Sequence, residues 1–364
     1  MKKFFAAHKK LHIWLLTDFG LLAAFWLCRG NRVWMNALAD HVTTPLRQAV
    51  GRLCYRTEIS VMEVLCLLLV LGTAAYALWS LWAIFRAAGR RASRAYSAVL
   101  GAVCAGVTIY VGFCFLWGVN YYIDSFQDRS GIRAQPVALA ELEQVTAYFA
   151  EQVSAASEGV PRDETGVSAA SREEILARSP TVYDEVERQF PFLELEDTGV
   201  KGVFFSKVMS RLDFTGVYCP FTGESNVNID SPVCMLPATA AHEMAHQRGI
   251  ASEQECNFLA ILASTTCGDP VYEYAGWLMG YLYLGNALYR ADQEAWRTIR
   301  DGLAAGVKAD LNFHSAYWRQ FDDTVVQQVS NTVYDGFLKS YGDEDGIQSY
   351  GTVVDLLVVY YLDR

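Results

Sequence analysis

Residues 64–85 carry no charged side chain over 22 positions, and residues 95–119 carry none over 25. About 20 apolar residues in a helix cross the roughly 30 Å hydrocarbon core of a bilayer, so both runs are long enough to span. A shorter apolar run, residues 11–28, contains Asp18. The basic start Lys2, Lys3, Lys9 and Lys10 offers a signal peptide as its competing reading. Phe25-Trp26-Leu27-Cys28 lacks the small residues of a cleavage site, and Leu27 spoils a lipoprotein-type cysteine. The run therefore reads as a retained helix, giving spans at about 11–28, 62–85 and 95–118. Asp18 becomes an intramembrane acid, a costly group expected to hydrogen-bond to another helix or to hold its proton.

Charge divides the chain at the same place. The first 118 residues hold 13 Lys and Arg against 4 acids, whereas the remainder holds 17 against 36. Two environments follow: a membrane anchor over 1–118 and an acidic domain beyond it. Cytoplasmic flanks are enriched in Lys and Arg, so the basic N-terminus and Arg86, Arg90, Arg91 and Arg94 are assigned inside. The loop 29–58 then faces outward although it carries five Arg, and everything after about residue 119 lies outside the cytoplasm. An oxidising exterior permits disulfides among Cys219, Cys234, Cys256 and Cys267, but spacing selects no pairing. The acidic outer part and the lack of a glycine-rich phosphate loop argue against a nucleic-acid partner.

Within the acidic part stands His242-Glu243-Met244-Ala245-His246. Two His four apart share a helical face and can reach one Zn²⁺ with their imidazole nitrogens, while the intervening Glu can act on the metal's water. The alternative is two His and a Glu on an ordinary helix surface. Gly249 is the expected helix terminator, and Ser252 can cap the next helix. A catalytic zinc needs a third protein ligand and an open position. One class of zinc peptidase continues to a third His, but Ser252 stands there, a poor ligand. The gluzincins instead take a Glu from a second helix, and Glu253-Gln254-Glu255-Cys256-Asn257 resembles their E-x-x-[AS]-[DN] pattern, with Cys256 as the small residue. That resemblance implies Glu253 as third ligand and Asn257 as the partner holding the far nitrogen of a ligand His. Glu255 is the rival ligand; its other reading is a capping box with Ser252.

Residues 138–157 and 170–190 read as amphipathic helices, the second interrupted near Pro180, in a helical neck over 119–198. From Gly199 to Asp230 the pattern changes to two to four short strands. An exposed edge there would capture an extended peptide by backbone pairing, or form only a small structural sheet. Helices follow at about 236–248, 252–266, 270–303, 315–340 and 346–362. Glu224, Asn226 and Asn228 line a cleft or form a polar turn. His314, Tyr317 and a Tyr from 272–289 are candidates to stabilise a developing oxyanion, with a structural role as the alternative for each.

The chain resembles a family of bacterial membrane proteins of unknown function that joins N-terminal membrane helices to a domain with a gluzincin-like motif. The resemblance rests on Trp117-Gly118-Val119-Asn120-Tyr121, on residues 220–228, on the run from His242 to Ala260, and on residues 349–357. The expected fold is a mainly α membrane protein with three N-terminal transmembrane helices. After them comes an α+β zincin-like domain over 199–364, with a small sheet and an HExxH active-site helix. The expected function is membrane-anchored zinc peptidase: His242, His246 and Glu253 hold Zn²⁺, and Glu243 takes the proton of the attacking water. Its partners are the lipid bilayer and a peptide or protein substrate, with oligomeric state unassigned. A non-catalytic membrane sensor or scaffold keeping the same fold is the alternative. An intramembrane protease is disfavoured, because the segment between Asp230 and Gly249 is too short to span.

Overall fold

The computed structural model describes residues 6–196, 198–322, 324–340 and 351–362, and it is mainly helical. It divides into two compact units. One comprises Met1–Val50, Val61–Ile123 and Pro220–Thr222; the other comprises Gly51–Ser60, Asp124–Cys219 and Gly223–Arg364.

Three helices are long and apolar enough to cross a membrane: α1 (Lys9–Cys28), α2 (Val61–Arg86) and α3 (Arg91–Leu116). Helix α1 packs along α3. Asp18 is buried between them, where the Thr108 hydroxyl donates to its Oδ2 at 2.8 Å and the Trp14 indole donates to Thr108 at 2.8 Å. The acid expected within a span thus meets an interhelical hydrogen bond, the partner such a group needs in an apolar setting.

The second unit is built on one apolar core. A short helix α4 (Phe126–Ser130) leads to α5 (Leu139–Ala156), which lies along the long helix α9 (Pro270–Ala291). Their approach is close: a Cβ on Gly280 would fall 2.2 Å from the Phe149 ring. The segment expected as a neck thus contributes Phe126, Val145, Phe149 and Tyr183 to the core that also holds Met244 and Phe258. The helix expected over 170–190 is interrupted at Ser179–Thr181 around Pro180, where proline cannot supply a helical N–H.

Three strands form a sheet in the order β1-β3-β2: β1 (Lys201–Gly202), β2 (Gly216–Cys219) and β3 (Glu224–Val227). Strand β1 runs parallel to β3, and β2 is antiparallel to it in a hairpin. The sheet packs on α6 (Leu236–Gln247), which packs in turn on α7 (Glu253–Thr266) and α9. Further helices toward the C-terminus are α10 (Gln293–Asp301), α11 (Ala305–Arg319), α12 (Val325–Ser340) and α13 (Gly351–Tyr361).

Two expected helices divide. The segment 270–303 breaks at Asp292, whose carboxylate accepts from the backbone of Glu294 and Ala295 and caps a new helix. The segment 315–340 belongs to α11, which begins earlier at Ala305, and to α12. Of the expected helix 346–362, residues 346–350 lie outside the described residues, as do Ser349 and Tyr350 of the family resemblance. Tyr272, Tyr274 and Trp277 are buried in the core. Cys219, Cys234, Cys256 and Cys267 are all free thiols.

Residues 51–60, between α1 and α2 in the chain, belong to the second unit. Lys201 Nζ donates to the carbonyls of Cys54 and Ile59 at 3.0 and 2.9 Å, Tyr55 donates to Gly199 O, and Ser60 donates to Asn226 Oδ1. The chain before α2 and the chain after α3 therefore share one folded body.

Candidate metal centre

The centre begins with how α6 ends. Gly249 adopts φ +85°, a left-handed conformation that costs glycine little. Its N–H donates to His246 O at 3.0 Å, and the Ile250 N–H donates to Ala245 O at 3.3 Å, the paired bonds of a Schellman termination. The reversal brings the Ile250 carbonyl back over His246, whose Nδ1 donates to it at 2.8 Å. A carbonyl only accepts, so Nδ1 carries a proton, and Nε2 is the nitrogen turned toward Glu253.

Helix α7 starts at Ser252, whose hydroxyl accepts from the Glu255 N–H. One turn into it, Asn257 Oδ1 lies 2.8 Å from His242 Nδ1, fixing the second imidazole in the same sense. The two rings meet edge to face, with centroids 4.9 Å apart. Both Nε2 atoms point at Glu253: His242 Nε2 is 3.1 Å from Oε2, and His246 Nε2 is 3.6 Å from Oε1. The three ligand groups lie within 4.8 Å of one another. A tetrahedral zinc with ligands at about 2.0–2.2 Å separates them by roughly 3.3–3.6 Å, so the set is of the right size.

Electrostatics carries the same argument. With each Nδ1 proton committed to an oxygen acceptor, both Nε2 atoms face one carboxylate, an arrangement that a proton or a bound cation between them satisfies. Burial disfavours charge on both His246 and Glu253, but the charges facing them prevail. Cys256 and Glu253 hold His246 well above the usual imidazole range, and the His pair holds Glu253 well below the carboxylate range. The residues present fit a divalent metal.

Glu243 lies beside this set and is buried. Burial pushes its carboxyl up to about 7, against the opposing effect of His242 and His246. Its Oε2 is buried without a hydrogen-bond partner among the described residues, whereas the carboxylate receives a backbone hydrogen bond from Tyr218. Gly216 covers it so closely that a Cβ there would lie 2.4 Å from Oε1. From the sheet side, Ser225 Oγ donates to the Glu243 carbonyl at 2.8 Å and ties β3 to α6.

The other sequence candidates lie elsewhere. Glu255 accepts from the N–H groups of Phe126 and Gln127 at 3.0 and 3.1 Å, so it caps α4 and not its own helix. Glu224 is fully buried in an ion pair with Lys201 at 2.6 Å. Asn226 donates to Glu224 O and accepts from Ser60, and Asn228 donates to Ser210 Oγ and Phe214 O. His314 accepts from the Trp318 indole at 3.1 Å, and Tyr317 donates to Asp230 at 2.9 Å. Tyr272 and Tyr274 donate to Ile175 O and Asp310. Among the described residues, only His242, His246 and Glu253 form a group with metal-ligating geometry.

Sequence reasoning missed three contributors: the Ile250 carbonyl, Gly216, and Tyr334, whose hydroxyl donates to Glu253 Oε1 at 2.7 Å. The Gly249 stop signal was the one clue to the first. Gly216 and Tyr334 are remote in the chain from the motif and carry no local signature.

No curated protein and no solved structure matches the chain. The model of a family described as "Protein of unknown function (DUF3810)" matches residues 40–358, a span that includes α2, α3 and every residue of the centre. The chain belongs to the DUF3810 family.

Proposed function

We propose that this protein is a membrane-anchored zinc peptidase of gluzincin type, with its catalytic unit outside the cytoplasm. The observation that carries the proposal is the convergence of two tautomer-fixed imidazoles and one carboxylate beside a buried, partnerless carboxylate oxygen. His242, His246 and Glu253 would hold the metal. Zinc held there would supply Lewis acidity for a substrate carbonyl and for water, whose pKa it would bring toward about 7. Glu243 takes the proton from the attacking water and delivers it to the leaving amine, a role suited to a buried carboxylate beside the ligand set with one oxygen unpartnered. Gly216 and Tyr218 hold that carboxylate in one orientation. Strand β2 is an edge of the sheet and borders Glu243, which supports an extended peptide as substrate through strand addition. The excess of Lys and Arg at the N-terminus and between α2 and α3 supports an inward placement of those segments.

Metal analysis of the full-length protein in detergent, paired with peptide hydrolysis, tests the reading. One zinc per chain is expected, and Glu243→Gln should keep that zinc while losing roughly 10²–10⁴-fold in hydrolysis. Zinc at full stoichiometry with no cleavage dependent on Glu243 would instead support a scaffold.

A further inference from the structure

We propose that Tyr334 is a positioning residue of the metal centre, and that through it the docking of α12 and the binding of metal are coupled. The inference rests on the zinc reading of the site. Tyr334 reaches Glu253 from 81 positions along the chain, and its hydroxyl donates to Oε1. That bond fixes the rotation of a carboxylate that stands at the first turn of its helix, partly open to solvent. A ligand carboxylate held by a neighbouring donor needs less reorganisation to receive a cation, which is how groups behind the ligands raise metal affinity.

The helix that delivers Tyr334 is docked by polar contacts. Gln327 Nε2 and Asn331 Nδ2 both donate to Asp213 Oδ2, at 3.1 and 3.2 Å, and Ser330 Oγ donates to Leu212 O at 2.8 Å. The Tyr334 ring meets Phe214 edge on, with centroids 5.6 Å apart. Positions 327, 330, 331 and 334 recur at helical spacing and form one face. That face sits on the turn 212–214, where Asp213 has φ +66°, just before β2 and the Gly216 that covers Glu243. None of the described side chains of α12 is buried, and Val329 and Val333 are 58% and 68% exposed. Half-buried hydrogen bonds of this kind each contribute only modest net stability. Among the described residues, the contacts that hold this face of α12 are thus largely polar, and one of them ends on a metal ligand. Coupling between binding events is reciprocal, so metal that favours the oriented Glu253 must favour docked α12 by the same factor.

The test is zinc affinity of the full-length protein in detergent, measured by competition with a chelator. Tyr334→Phe keeps the ring against Phe214 and removes only the hydroxyl. It should weaken zinc binding roughly 10- to 100-fold with one site retained and the melting temperature of the metal-free protein unchanged. Gln327→Ala with Asn331→Ala loosens docking without touching Glu253 and should weaken zinc in the same direction. Wild-type affinity in Tyr334→Phe overturns the positioning role. As a second measurement on the unaltered chain, zinc should slow hydrogen exchange across residues 325–340, and equal exchange with and without zinc overturns the coupling. A wild-type protein that binds no zinc overturns the metal reading itself, a result distinct from both.

Discussion

Glu253 and Glu255 are two residues apart at the start of one helix, and the fold gives them opposite tasks. Position 253 faces the two imidazoles, whereas position 255, about 200° around the helix, faces the N-terminal N–H groups of α4. Glu253→Ala should therefore abolish tight zinc binding. Glu255→Ala should leave zinc affinity near wild type and cost about 1–3 kcal/mol of stability, because buried backbone donors at Phe126 and Gln127 lose their acceptor. Chelator competition and thermal melts on the two variants separate the roles; zinc loss in Glu255→Ala alone would reverse the assignment. The S-x-x-E pattern pointed to a cap at Ser252, and the cap is present. That the Glu255 carboxylate leaves that box for another helix was not legible, since α4 lies 129 residues away.

The turn between α6 and α7 does as much for the centre as either helix. Gly249 ends α6, the reversal aims the Ile250 carbonyl at His246, and Ser252 starts α7 so that Glu253 falls on its first turn. Ala at Gly249 must adopt the left-handed region at a cost of about 1–2 kcal/mol, or else shift the turn. Gly249→Ala should lower the melting temperature and also weaken zinc binding, because a shifted turn releases the Nδ1 proton acceptor of His246. Unchanged zinc affinity in a destabilised variant would mean that the turn holds its shape at the cost of strain alone. Termination at Gly249 and initiation at Ser252 were both readable, since they depend on local backbone chemistry. The break at Asp292 was readable in principle from its capping side chain, yet the continuous aromatic pattern across 270–303 masked it.

At the level of the whole chain, residues 51–60 share a folded body with the residues after 124. A body that no bilayer divides requires an even number of crossings between residues 60 and 124, and α2 and α3 are two helices long and apolar enough to make them. The excess of Lys and Arg near the N-terminus and between α2 and α3 leads us to expect those segments inside. A reporter fused after residue 130 should be active only outside the cytoplasm, and cytoplasmic activity would reverse the orientation. The sequence by itself determined the three apolar helices, the His242–His246 pair and the helix boundaries around it, because length, apolarity, capping and a four-residue spacing are properties of neighbouring residues. Tertiary structure alone decided the rest of the centre. It turned Glu255 away, paired Glu224 with Lys201, set Gly216 over Glu243 and brought Tyr334 to Glu253, since each of those contacts joins separate segments whose meeting depends on how the core packs.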